Sequence, residues 1–136
     1  MTLHLLKLAV GITDIEDLVR VRAARAAARG GDWVYTRNHP RRAAEILAGG
    51  SIYWVIRGRI RVRQSVTGFR RARDENGRGY CLIDVDPALV ETQTRLCRAF
   101  QGWRYLPPEA APPDRSSGAA PPPERMLAEL RALGLI

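Results

Sequence analysis

Gly50-Ser51-Ile52-Tyr53-Trp54-Val55-Ile56-Arg57-Gly58-Arg59-Ile60-Arg61-Val62-Arg63-Gln64 reads as two β-strands that meet at Arg57-Gly58. In the second strand Ile60, Val62 and Val66 alternate with Arg59, Arg61 and Arg63. Residues i and i+2 of a strand share a face, roughly 6.5–7 Å apart. The alternation therefore predicts three guanidinium groups in one row with an apolar row behind them. Guanidinium groups bind phosphates in a planar fork, which makes Arg57, Arg59, Arg61 and Arg63 a candidate nucleic-acid surface. The same pattern also describes the solvated outer face of an antiparallel sheet. In the first strand Trp54 reads as core.

Working outward, residues 3–10 read as a buried strand. Thr13-Asp14-Ile15-Glu16 reads as a capping box, followed by a helix over 14–29 that stops at Gly30-Gly31. Trp33 to Thr36 reads as a short strand. Pro40 suits the first turn of a second helix over 40–48, which buries Ala43, Ile46 and Leu47. Beyond the hairpin, Asp74-Glu75-Asn76-Gly77-Arg78 is a turn signal. Strands over 80–85 (stopping at Asp86-Pro87) and 90–96 follow, and 100–106, a final strand or a packed loop, completes the first 106 residues. In 107–123, seven of seventeen residues are Pro, the composition of an extended linker. Within 124–136, Glu124 to Leu133 has the stripe Met126, Leu127, Leu130, Leu133, an amphipathic helix that must dock to persist, on its own domain ahead of a partner.

The order is strand, helix, strand, helix, then strands joined by hairpin turns. That is α+β, and it suits a small partly closed β-barrel or a strongly bent mixed sheet. Two helices lie in the N-terminal half and one at the C-terminus. The 136 residues fit one domain, with 46% apolar residues.

The net charge is +8 and the pI about 10.7, which favours an acidic partner. Of the 22 Lys and Arg residues, Lys7 is the single Lys. Such an Arg bias makes arrangement more telling than count. No segment has the ~18 consecutive apolar residues of a membrane helix, and residues 1–10 lack a signal peptide's pattern. The expectation is a cytoplasmic protein with Cys81 and Cys97 as free thiols. His4, His39, Cys81 and Cys97 have no zinc-ligand spacing. No metal or cofactor is expected.

A second basic stretch, Thr36-Arg37-Asn38-His39-Pro40-Arg41-Arg42, joins a strand to a helix N-terminus, where free amides attract anions. The alternative is a polar loop. Phe100-Gln101-Gly102-Trp103-Arg104-Tyr105 either walls a pocket or tacks the last segment onto the barrel. Trp33, Tyr35 and Trp103 are candidate stacking surfaces. The ligand pocket expected from these pieces comprises Trp33, Tyr35, Arg37, Asn38, Arg42 and Trp103. There is no nucleophile elbow, phosphate-binding glycine loop or His-Glu-x-x-His. Asp84 with Asp86, or Cys97 beside Arg98, are the groups left for chemistry.

His4-Leu5-Leu6-Lys7-Leu8-Ala9-Val10-Gly11, Gly49 to Gly58 with Arg63-Gln64, and Phe100 to Leu106 together resemble an uncharacterised bacterial family, catalogued only as a domain of unknown function. In order of elements the chain is also similar to PUA-like domains, especially their EVE branch. Leu5-Leu6-Lys7, then Asp14 to Leu18, then Trp33-Val34-Tyr35-Thr36-Arg37-Asn38 carry that likeness. Leu8-Ala9-Val10 stands where the EVE branch has Ser-Glu-Pro. The resemblance implies a PUA-like barrel that binds RNA or a modified base in an aromatic-lined pocket. The expected function is therefore a nucleic-acid-binding module, RNA ahead of DNA. The alternatives are a small enzyme acting on nucleic acid or a phosphorylated metabolite, and a protein-interaction module using the C-terminal helix.

Overall fold

The structure is a computed structural model and describes residues 2–98 and 100–115. The expected helix over Glu124 to Leu133 lies outside the described residues. The elements run β1 (His4–Leu8), α1 (Ile15–Arg29), β2 (Trp33–Thr36), α2 (Ala43–Leu47), β3 (Ser51–Ile56), β4 (Arg59–Arg73), β5 (Gly79–Leu96) and β6 (Trp103–Leu106). A 3-10 turn, Pro108–Ala110, comes after them. The six strands form one mixed sheet in the order β2-β5-β4-β3-β1-β6. Among the described residues only β1 and β3 pair in parallel.

The partly closed barrel is corrected to an open sheet. Closure requires a ladder between the two outermost strands, and β2 and β6 share none among the described residues. What links those edges is a side chain: Trp103 Nε1 donates to the Asn38 carbonyl at 3.0 Å.

β3 is buried along its whole length. Ile52, Trp54 and Ile56 face one cluster with Leu5, Leu18, Val34, Ile46, Val62 and Ile83. Tyr53 and Val55 face a smaller cluster with Leu6, Ile60, Phe100 and Leu106. Leu18 of α1 and Ile46 of α2 place both helices on the first side.

The row of arginines is broken by a β-bulge. Trp54 pairs with Val62 but Val55 pairs with Ile60, which leaves Arg61 as the extra residue. A bulge reverses the facing of the residues beyond it. Ile60 accordingly joins the smaller cluster and Val62 the larger one. Arg59 pairs with Ile56 and Arg63 with Tyr53, so the two guanidinium groups leave from opposite faces.

Several boundaries also shift. The second helix is Ala43–Leu47 rather than 40–48, with Ile46 buried and Leu47 exposed. Asp14 rather than Thr13 caps α1, its Oδ1 accepting from Asp17 N at 2.7 Å, while Asp17 Oδ2 accepts from Thr13 N at 3.1 Å. The strands expected to separate at Pro87 form one strand. There the pairing jumps from Gln64–Leu89 to Val66–Val85, and Pro, lacking an amide proton, sits in that irregularity. In the expected linker, residues 107–115 pack against the sheet. Pro112 is fully buried, Gln93 N donates to Pro113 O and Arg115 N to Glu91 O, both at 2.9 Å.

A charged network lies within the larger cluster. Arg22 forms an ion pair with Asp32, at 4% and 0% side-chain exposure. Gln64 Nε2 donates to Asp32 Oδ2 at 2.7 Å and to Asp86 O at 2.9 Å, and Trp54 Nε1 donates to Gln64 Oε1 at 3.1 Å. Asp32→Ala strands the Arg22 charge and one Gln64 donor away from water. Breaking one side of such a pair costs about 3–5 kcal/mol, so urea unfolding of this variant should show a loss of that size. A loss under about 1 kcal/mol would place the network among interactions of surface strength.

Candidate ligand groove

β2 is a sheet edge, with Val34 and Thr36 turned inward and buried. Trp33 and Tyr35 alternate with them. Tyr35 is 52% exposed, 5.2 Å from the Tyr80 ring and 5.9 Å from the Arg37 guanidinium. Arg37 Nη1 donates to Gly79 O at 3.1 Å and lies 3.7 Å from Asp74. The Asn38 carbonyl accepts from Thr36 Oγ1 at 3.1 Å and from Trp103 Nε1 at 3.0 Å. Its side-chain amide has no partner among the described residues.

Four of the six expected pocket residues meet. Tyr35, Arg37, Asn38 and Trp103 line a hollow of about 390 Å³ together with Lys7 and Gln101. Trp33 lies in the adjoining cleft of about 210 Å³, which shares Lys7 and Tyr35 with the first hollow. Its ring already carries two cations, Arg29 at 4.8 Å and Arg70 at 5.1 Å, contacts worth roughly 0.5–1 kcal/mol each at exposed sites. Arg42 is elsewhere. It grips Glu45 through two bonds of 2.6 and 2.8 Å, and its backbone amide donates to the Tyr105 hydroxyl at 3.1 Å.

On the other side, a third hollow of about 380 Å³ shares Arg37 and Asn38 and adds His39, Arg71, Arg73 and Tyr80. Arg71 Nη2 lies 3.2 Å from His39 Nδ1. Partial burial and the Arg71 charge push His39 below its ordinary value, against a pull upward from the Pro40 backbone. The three hollows adjoin in series, and among the described residues no Asp or Glu lines any of them.

The hairpin arginines contribute nothing to this groove. Arg57 sits at the tight turn with φ 50° and is exposed, as is Arg59. Arg63 is held by Asp114 through two bonds of 2.7 and 2.8 Å and donates to Ser51 Oγ at 3.1 Å. Arg61, at the bulge, has its Nε buried without a partner among the described residues.

The groups left for chemistry are otherwise engaged. Asp84 accepts two bonds from Arg70, at 3.0 and 2.7 Å, and Asp86 Oδ1 accepts from Ala88 N at 2.9 Å. Burial pushes both thiols, Cys81 and Cys97, upward, away from the reactive thiolate. Among the described residues no cluster of three or more His, Cys, Asp or Glu is placed to hold a metal ion. None of the described helices is long and apolar enough to cross a membrane.

Lys7, Arg25, Arg29, His39, Arg71, Arg73, Tyr80 and Gln101 are among the groove residues that sequence reasoning left out of the pocket. Arg70-Arg71-Ala72-Arg73 directly before the Asp74 turn was a visible signal. Lys7 needed the register: it aligns with Trp54 on β3 and Trp103 on β6.

A sheet-based α+β domain with a basic, aromatic-lined edge groove is the class these features define. The chain matches the family described as "Protein of unknown function (DUF1489)" over residues 5–136, and it belongs to that family. No curated protein and no solved structure matches it.

Burial disfavours the Lys7 ammonium and lowers its pKa. The folded chain thus holds this proton less tightly than the unfolded one, and stability rises with pH between the folded midpoint and the usual ~10.4. With Lys7 labelled by ¹³C reductive methylation, its NMR titration midpoint should lie below that of the same protein in denaturant. Equal midpoints would remove the burial of this amine.

Proposed function

We propose that this protein binds single-stranded nucleic acid along the groove at the β2 edge, RNA being the first ligand to test. Carrying the proposal is the lining of the groove: Lys7, Arg25, Arg29, Arg37, Arg71 and Arg73 with no carboxylate among them. A polyanion gains from such a surface chiefly by releasing its condensed counterions. Exposed Tyr35 offers a face on which a base stacks, and half-buried Trp103 walls the hollow behind it. Stacking of this kind tolerates any base and contributes on the order of 1–3 kcal/mol. The Asn38 amide supplies a donor and an acceptor within the same hollow, the pairing that a base edge or a ribose hydroxyl satisfies.

Specificity and affinity then divide between residue types. Lys7 and Arg37 contact phosphates and set the salt dependence. Tyr35 acts on the base and does not.

Binding of single-stranded RNA and DNA oligonucleotides, measured against salt, separates the two roles. For each phosphate contact removed, the slope of log K on log salt should flatten by about 0.7. Lys7→Ala and Arg37→Ala should each do this. Tyr35→Ala should weaken binding about tenfold or more with the slope unchanged. Absence of binding to either oligonucleotide at about 50 mM salt, or slopes indifferent to both cation variants, would sink the proposal.

A further inference from the structure

The hollow beside the β4–β5 turn differs in charge density from the rest of the groove. Arg71 and Arg73 come from β4, Tyr80 from β5, and Arg37 and His39 from the segment after β2. Three guanidinium groups share about 380 Å³, and among the described residues the one acidic approach is Asp74, 3.7 Å from Arg37. Each guanidinium is anchored through a single nitrogen. Arg37 Nη1 donates to Gly79 O at 3.1 Å, Arg73 Nη1 to Gly77 O at 3.0 Å, and Arg71 Nη2 lies 3.2 Å from His39 Nδ1. A guanidinium has five N–H donors, so most of their donors stay available while the anchors hold the planes in place.

Such an array exceeds what one phosphodiester needs. A diester within a strand carries one charge, whereas a phosphate monoester carries about −1.5 to −2 at pH 7 and three strong acceptor oxygens. The Tyr35 and Tyr80 rings, 5.2 Å apart, stand beside the hollow, and Arg37 and Asn38 form the wall it shares with the Lys7–Trp103 hollow. A strand whose last base stacks at Tyr35 can therefore set its end phosphate among the three arginines.

We propose that this hollow binds the terminal phosphate monoester of a single-stranded nucleic acid, so that the protein recognises strand ends. The inference rests on the groove being a nucleic-acid site. Hydrogen bonds between two charged groups are roughly twice as strong as neutral ones, so a terminal phosphate should tighten binding about tenfold or more.

The test uses one RNA sequence of about ten nucleotides, a length near the site size of common single-strand modules. It is prepared with a 5′-phosphate, with a 3′-phosphate, and with hydroxyls at both ends. At least one phosphorylated form should bind about tenfold more tightly than the unphosphorylated one, and the form preferred names the end. Arg71→Ala and Arg73→Ala, both at exposed positions, should bring the ratio toward one. Equal affinity of the three forms, or a preference that survives both variants, overturns end recognition and leaves the groove reading standing. Failure of all three forms to bind at low salt overturns both.

Discussion

The buried ion pair between Arg22 and Asp32 constrains everything around it. Arg22 sits on α1, and Asp32 lies between α1 and β2. Gln64 on β4 and Trp54 on β3 complete the set, and Gln64 also reaches the Asp86 carbonyl on β5. Sliding α1 by one turn would part Arg22 from Asp32 and leave two charges away from water, at a cost of several kcal/mol. The helix is thus tied to one register on the sheet. Arg22 Nη2 also donates to the Trp33 carbonyl at 2.7 Å, and Asp32 O accepts from Val85 N at 3.1 Å. The start of β2 is therefore fixed from both sides, and with it the edge along which the groove runs.

A second constraint is the bulge at Arg61. It lets β3 remain buried on both sides while β4 crosses from one cluster to the other. The arginines of the hairpin pass to different surroundings as a result. One ends in an ion pair with Asp114 and two stand exposed at or next to the turn. The cations that gather come instead from β1, α1, the segment after β2 and the far half of β4. Basic charge is abundant along this chain, and pairing with carboxylates divides it. Arg42, Arg63 and Arg70 are neutralised by Glu45, Asp114 and Asp84. Lys7, Arg71 and Arg73 form no ion pair with a described residue.

Legibility varied with the range of the interactions involved. The limits of α1 were readable to within a residue, because a capping side chain and a Gly30 stop with φ 74° act within four residues. The hairpin turn at Arg57-Gly58 was equally local. Tyr35, Arg37, Asn38 and Trp103, singled out from aromatic and basic residues crowded into two short stretches, line one hollow. Lys7 was missed as a pocket residue because its neighbours Trp54 and Trp103 come to it only by strand pairing. Trp33 was readable as an aromatic near the site, but the guanidinium groups over its ring come from a helix and a distant strand.

Unaided, the sequence determined the α+β order of elements, the excess of basic charge and the two turns that bound β4, and it singled out the Trp33–Asn38 segment that supplies part of the groove lining. These arise from backbone geometry and side-chain chemistry within a few residues of one another. Tertiary structure alone decided that the sheet stays open, that Arg61 is bulged out of its row, and that residues 107–115 pack on the sheet. It also decided which cations at the β2 edge have no carboxylate partner among the described residues. Each of these depends on register between strands, and register is a relation between segments that local alternation does not encode. Arg63 and Asp114 stand 51 positions apart, and the contact that removes this arginine from the candidate surface exists only once the chain has folded.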